Sequence, residues 1–329
     1  MEANLAGVEA LRIAVVGARR VRNGTGAFLA RMTAGLGAKL VGVVGTQPDT
    51  ARLAAEALAA DGILVTAFAE AEDLFAEAAP DVLIVAAPAG AHRAWLHTAL
   101  EGGAHVLCEK PLAAGSADEA RALAQRFAAA GLVLAENCQW PFVLPAFQAL
   151  HPNFDLQQAN RFRMLLAPPQ RGLERWSEIL SHPLSLLQAV FPGPSALSDV
   201  RYVETSAEAP DARLDFSWRT HTRMLQCEVM AEDLGRSPRP AEFAFDDALC
   251  RRRVSLKGYR IRFEAEVPGP GQRVGAVALG DPMEACLRDF LSRVLRARER
   301  RSAPVDEDLI RRQALLDQLC DAWRAQRRV

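Results

Sequence analysis

Lysine is nearly missing from this chain of 329 residues. Of its 39 basic residues only Lys39, Lys110 and Lys257 are lysines, and arginine supplies the rest. Where a plain positive charge suffices, this composition uses arginine. Each lysine is therefore a candidate for work arginine cannot do, above all releasing and regaining a proton. An excess of either charge sign is missing too: 40 acidic residues leave a net charge of −1, which argues against nucleic acid as the partner. No apolar run reaches the roughly 18–20 residues needed to cross a bilayer, so no membrane span is expected. Met1–Leu11 lacks the basic and apolar regions of a signal peptide, and a cytoplasmic location is the expectation. The six cysteines (Cys108, Cys138, Cys227, Cys250, Cys286 and Cys320) contain no CxxC spacing; reduced thiols and no metal site are expected. Internal repeats and low-complexity linkers are absent as well.

What is present reads as a globular protein, half hydrophobic and 24% charged, long enough for about two domains. Residues 1–138 alternate short apolar runs with Ala-rich helical ones. Leu11–Gly17, Leu40–Gly45, Gly62–Thr66, Asp81–Ala87, His105–Cys108 and Leu132–Glu136 read as strands. Helices are expected at 25–36, from Pro48 to about 60, at 70–78 and 91–101, and from Ser116 to about 130. Ser116 and Glu119 have capping-box spacing. Such alternation argues for a parallel sheet of βαβ units. In 139–329 prolines interrupt the chain and helical periodicity is confined to 174–190. Half-exposed antiparallel strands are expected near 160–166, 200–205, 213–218, 225–231 and 259–267. Asp281-Pro282 reads as a helix start, and two helices close the chain near 282–299 and 306–326.

The turn after the first strand runs from Gly17 to Gly26 (GARRVRNGTG). In a Rossmann domain this turn meets a dinucleotide pyrophosphate through backbone N–H groups and a helix N-terminus. It is not GxGxxG, since Arg19 and Arg22 occupy two of the glycine positions; Gly24 and Gly26 suggest a lengthened loop. The second strand ends in Gly45-Thr46-Gln47, with no carboxylate for a ribose 2′-OH before Asp49. With Arg19, Arg20 and Arg22 nearby, this favours NADP over NAD, although solvated surface arginines are an open alternative.

Cys108-Glu109-Lys110-Pro111 follows the His105–Cys108 strand directly, at the end of a parallel strand where ligands bind in open α/β sheets. Upstream, the Asp81–Ala87 strand runs through Pro88 into AGAH ending at His92. On the run from Asp81 to VAAPAGAH and GAHVLCEKPL, the chain resembles the glucose–fructose oxidoreductase / inositol dehydrogenase (Gfo/Idh/MocA) family. In that family the Lys of an EKP tripeptide belongs to the active site. The family's D-x-G-x-H-x-x-D helix is matched without gaps by Glu178-Ile-Leu-Ser-His182-Pro-Leu-Ser185. Glu178 and Ser185 replace the acids, and Leu180 the glycine. Asp281–Phe290 resembles the family's penultimate helix.

The resemblance implies an α/β fold: an N-terminal Rossmann dinucleotide-binding domain (1–138) and a C-terminal α+β domain (139–329) with an open antiparallel sheet. Its free face implies a homodimer or homotetramer. It further implies an NAD(P)-dependent oxidoreductase, NADP preferred, acting on the hydroxyl or carbonyl of a small polar substrate: a sugar, nucleotide-sugar or cyclitol. Hydride chemistry at such a carbon needs an acid or base for the hydroxyl proton. Lys110 and His182 are expected to flank the reacting oxygen, with Glu178 orienting the histidine; on one helix their i, i+4 spacing would share a face. Gly17, Arg19, Arg20, Gly24, Gly26, Thr46, Pro88, His92, Glu109 and Lys110 are the expected cofactor-binding residues, His92 and Glu109 having a structural role as the alternative. Trp140, Phe142 and Trp176 are pocket walls or packing residues. Two other functions stay open: reduction of an imine or other C=X group on the same fold, favoured by Ser185, and a non-catalytic nucleotide sensor, favoured by the altered glycine loop.

Overall fold

The computed structural model describes residues 4–19, 25–45, 48–112, 116–204, 211–233, 238–255, 260–266 and 274–327. It divides into two compact units, Met1–Asn137 with Met283–Ile310, and Cys138–Pro282 with Arg311–Val329.

The first unit is a six-stranded sheet: β1 (Arg12–Val16), β2 (Lys39–Val44), β3 (Thr66–Phe68), β4 (Val82–Val85), β5 (His105–Cys108) and β6 (Leu134–Glu136). Their spatial order is β3-β2-β1-β4-β5-β6, every pairing parallel. This is the doubly wound Rossmann order. The strands are near-continuous apolar runs because both faces are covered. Ala14, Val16, Leu83 and Val85 point into one core; Ile13, Val15, Val82 and Ile84 point into the other. The crossovers contain α1 (Gly26–Gly35), α2 (Pro48–Ala59), α3 (Ala71–Asp73), α4 (Ala89–Glu101) and α5 (Ala117–Ala129). The capping box opens α5: the Glu119 N–H donates to Ser116 Oγ at 3.2 Å.

Two local expectations are corrected. The strand read at 62–66 lies at Thr66–Phe68; the preceding residues stay irregular, with Leu64 84% exposed. The helix read at 70–78 is the single turn α3 followed by a wider π-type turn, Leu74–Ala78.

The second unit holds an eight-stranded sheet of β7 (Arg161–Leu166), β8 (Ala196–Val203), β9 (Asp211–Arg219), β10 (Met224–Glu232), β11 (Ala241–Phe245), β12 (Ala248–Ser255), β13 (Arg260–Glu266) and β14 (Val274–Ala278). The order is β14-β13-β12-β11-β7-β10-β9-β8. Only the central β7–β10 pair is parallel. β11, β12 and β14 are additional to the strands read from sequence. β11 is buried on nearly every residue, so it carries no alternation to read.

One face of this sheet packs Phe162, Met164, Phe216, Trp218 and Phe243 against apolar residues of the helices. Those helices are α6 (Leu144–Leu150), α7 (Gly172–Ile179), α8 (Ser181–Val190) and α10 (Glu307–Gln326). The opposite face bears cross-strand ion pairs, including Arg251–Glu242 at 2.5 Å and Arg253–Glu264 at 2.9 Å. α6 falls where periodicity predicts no helix; Pro145 sits in its first turn, where no donor is needed.

The helix read at 174–190 is two helices meeting at Leu180. Pro183 has no N–H to offer the Ile179 carbonyl, so the ladder is interrupted there while Pro183 itself fits the first turn of α8.

A contiguous split near residue 138 is the simplest reading of the sequence, but Met283–Ile310 groups with the first unit. Met283, Leu287, Phe290, Leu291, Val294 and Ala297 line one stripe of α9 (Pro282–Arg300) and join the core that contains Ile13 and Val15.

Candidate functional site

In the first unit the described residues among the expected cofactor-binding set, Gly17, Arg19, Gly26, Pro88, His92, Glu109 and Lys110, lie at or near the carboxyl ends of β1, β4 and β5. Gly17 follows β1 with φ +79°, and a Cβ there would lie 2.6 Å from the Ala86 carbonyl oxygen. Gly26 opens α1, where a Cβ would lie 2.4 Å from the Gly17 carbonyl oxygen. Both glycines are needed because backbone meets backbone, and the result brings the start of α1 against the end of β1. That is the cradle a dinucleotide pyrophosphate requires: close backbone approach and a helix N-terminus. The residues described here fit such a group. A Gly26→Ala substitution is expected to destabilise the first unit by about 3 kcal/mol, since neither clashing atom can rotate away. The shift of its denaturant midpoint measures this, and an unchanged midpoint would refute the close approach.

Arg19 is exposed just beyond Gly17. Arg20, Arg22, Gly24 and Thr46 lie outside the described residues. Asp49, the first acid after β2, pairs with Arg52 on the exposed surface of α2 at 3.4 Å.

The turn carrying Lys110 is fastened on three sides. The Glu109 N–H donates to the Val85 carbonyl at 2.8 Å, continuing the β4–β5 pairing by one residue. Glu109 Oε1 accepts from Thr25 Oγ1 at 2.7 Å and from Asn137 Nδ2 at 2.7 Å. Hydrogen bonds to a charged carboxylate contribute about 1.5–3 kcal/mol each in partly buried settings. Beyond Lys110, the Lys110–Pro111 peptide is cis. The Leu112 N–H donates to the buried carboxylate of Glu136 at 3.1 Å. His92, 1% exposed, sets Nδ1 at 2.9 Å from the Pro111 carbonyl and Nε2 at 2.8 Å from the Ala87 carbonyl. It therefore clips the start of α4, which Pro88 precedes, to the lysine turn. Lys110 itself is half-buried.

Thr25, Glu136 and Asn137 escaped the sequence reading. Their hydrogen-bond partners stand 84, 24 and 28 residues away along the chain, beyond the reach of any local pattern. Cys108, fully buried beneath this turn, has its thiol pushed well above the usual range, first by burial and then by Glu109 and Glu136. It is an inert packing group. Of the other lysines, Lys39 is exposed at the start of β2, and Lys257 lies outside the described residues.

The second unit carries the remaining expected residues. Glu178 is half-buried in the last turn of α7, and His182 is half-buried in the first turn of α8. The unbroken helix that would give them a common face is absent, for the reason given by Pro183. The His182 ring lies edge-on to Trp140, centroids 6.2 Å apart. Ser185 is buried and donates its hydroxyl to the His182 carbonyl at 2.9 Å, which turns it toward its own helix. Trp176 is a core residue, fully buried, its indole N–H donating to Glu204 at 2.5 Å. Glu204 also accepts from Trp323 and pairs with Arg327. Arg175, next to Trp176 and equally buried, has its guanidinium lowered by that burial.

Among the described residues no group of three or more His, Cys, Asp or Glu side chains could hold a metal ion. No helix among them is long and apolar enough to cross a membrane.

Comparison with known proteins agrees with this geometry. Residues 11–138 match the model of the Gfo/Idh/MocA oxidoreductase family, described as an NAD-binding Rossmann fold. The chain is 36% identical over 118 residues to D-xylose 1-dehydrogenase (NADP(+)) 2 of Haloferax volcanii, covering 33% of this chain and 36% of that protein. It is 38% identical over 115 residues to inositol 2-dehydrogenase 1 of Saccharopolyspora erythraea, covering 35% and 31%. These matches thus span about a third of the relatives' length. The fold extends further. The NADP complex of KijD10, a 3-ketoreductase from Actinomadura kijaniata, superposes with a TM-score of 0.71 at 18% identity, covering 94% of this chain and 96% of its own. UDP-N-acetylglucosamine 3-dehydrogenase from Acidithiobacillus ferrooxidans gives 0.68 at 23% identity, covering 95% and 97%. With its parallel strand order, its glycine-lined helix start and its Glu109-Lys110-Pro111 turn, the segment 11–138 is similar to the NAD-binding Rossmann fold of the Gfo/Idh/MocA oxidoreductase family.

Proposed function

We propose that this chain is an NAD(P)-dependent oxidoreductase that moves a hydride to or from a hydroxyl or carbonyl carbon of a small polar substrate of the sugar, nucleotide-sugar or cyclitol class. The observation that carries the reading is the Lys110 turn: a half-buried lysine at the carboxyl end of a parallel strand, fastened by Glu109, Glu136 and His92 next to a helix start lined by glycines. A bound nicotinamide would supply the hydride acceptor or donor. The chain's own residues handle the proton.

Gly17, Gly26 and the start of α1 are assigned the pyrophosphate; Gly24 and Thr46, outside the described residues, are assigned to the cofactor on the sequence alone. Pro88 and Glu109 border the cofactor, and His92 acts by holding Pro111. Arg19 and Arg20 are assigned a 2′-phosphate. Asp49 is engaged with Arg52, which supports NADP as the preferred form. Lys110 exchanges the substrate hydroxyl proton. His182 is assigned as a further acid–base group, with Glu178 to orient it. The free sheet face of the second unit, with its ladder of Arg–Glu pairs, is assigned to a homodimer or homotetramer.

The test is titration of the purified chain with NADPH and NADH, followed by a panel of sugars, nucleotide-sugars and cyclitols read at the nicotinamide absorbance. NADPH is expected to bind more tightly than NADH. Failure of both dinucleotides to bind would end the oxidoreductase reading. A second reading, reduction of an imine, is favoured by Ser185, whose hydroxyl is bonded to the His182 carbonyl rather than replacing a polyol-binding carboxylate. Turnover of cyclic imines with none of the sugars would select it.

A further inference from the structure

Glu109 has a second role that the proton chemistry does not require. Its Oε1 receives two donors from different parts of the first unit: the Thr25 hydroxyl, one residue before α1, and the Asn137 amide, one residue after β6. The backbone repeats the second tie, since the Asn137 N–H donates to the Cys108 carbonyl at 2.7 Å, while the Glu109 N–H holds the turn to β4 through Val85. Thr25 is joined to the dinucleotide cradle by its neighbour Gly26, where an added Cβ would lie 2.4 Å from the Gly17 carbonyl oxygen. Glu109 is joined to Lys110 by a peptide bond. One carboxylate oxygen thus links the helix start proposed for the pyrophosphate to the lysine proposed for the proton.

We propose that Glu109 is a positioning residue, and that Thr25–Glu109–Asn137 forms a latch through which a dinucleotide seated at the start of α1 sets the position of Lys110. The inference rests on the assignment of Lys110 and the glycine cradle made above. Losing the Thr25 hydroxyl, whose hydrogen bond goes to Glu109, is expected to displace Lys110 one residue further on.

The scarcity of lysine makes this measurable in the full chain. Lysine labelled with ¹³C at Cε yields three side-chain signals, and Lys110→Arg identifies the one that matters. Without dinucleotide, Thr25→Val is expected to displace the Lys110 signal and leave those of Lys39 and Lys257 in place. Thr25→Ser, which keeps the donor, is expected to restore it. Asn137→Ala interrogates the same latch from its other donor, so a folding failure of one variant leaves the other to decide. A folded Thr25→Val or Asn137→Ala protein with an unmoved Lys110 signal overturns the latch. On adding NADPH, the wild-type Lys110 signal is expected to move and the Thr25→Val signal to lose most of that response; equal responses overturn the coupling. If neither NADPH nor NADH moves the wild-type signal while Thr25→Val still displaces it, the latch stands and the dinucleotide reading is the part that fails.

Discussion

Lys110→Arg is expected to lower kcat by about 10²- to 10⁴-fold, the usual worth of a positioned acid–base group, while NADPH binding stays within a few-fold of wild type. Arginine retains the positive charge, so a field effect on substrate or cofactor would survive the change. The guanidinium does not release its proton in a protein, so a proton-transfer role would not survive. Lys110→Met removes both, and the proposal expects the two variants to be similarly impaired. The measurement is single-turnover hydride transfer on a substrate identified by the panel, with NADPH affinity followed separately. An arginine variant near wild-type rate would assign Lys110 to charge alone. The fold is expected to tolerate either change, because the turn is held by Glu109, Glu136 and His92 and by the backbone ties.

Acidification from pH 7 to pH 4 is expected to cost the first unit about 3 kcal/mol of stability through His105 alone. This residue, 5% exposed at the start of β5, accepts the Val133 N–H on Nδ1 at 2.8 Å. A proton on Nδ1 would face that donor and break the bond. Burial first, and the Arg298 charge second, lower its pKa from 6.5 to about 4, against a smaller opposing effect of Asp81. Asp81 is itself held by Arg298 at 3.0 Å and by the Arg12 N–H at 2.9 Å. The folded pKa lies below the unfolded one, so between about pH 6.5 and 4 the unfolded chain takes up the proton first and stability falls as pH falls. Above that window the contribution is complete; below it, no more is lost. His105→Asn keeps an acceptor for Val133 without a titrating ring. It is expected to lose about 3 kcal/mol less than wild type between pH 7 and pH 4, measured by denaturant unfolding at both pH values. Equal losses in the two proteins would remove His105 from the account.

Much of the first unit was legible because its signals are local. A strand buried on both faces reads as an unbroken apolar run, and LRIAVVG, DVLIVAA and HVLC do so. Ser116 and Glu119 meet across three residues, and the capping bond is where their spacing puts it. The break at Leu180 was legible too, from Pro183, although helical periodicity outweighed it in the reading of 174–190. β11 and α6 were not legible: one is buried without alternation, the other is short and begins among prolines.

The sequence by itself determined the doubly wound domain, the family resemblance and the choice of Lys110 among three lysines. All of these depend on residues within a few positions of one another, where propensity, periodicity and turn chemistry act. Only the tertiary structure decided what holds Lys110. Thr25, Glu136 and Asn137 are ordinary residues in the chain and acquire their roles from partners brought together by strand order. The same holds for α9, whose apolar stripe says that it will be buried but not in which unit. Local physics chooses the elements; the packing of a parallel sheet, whose neighbours are distant in sequence, chooses which side chains meet.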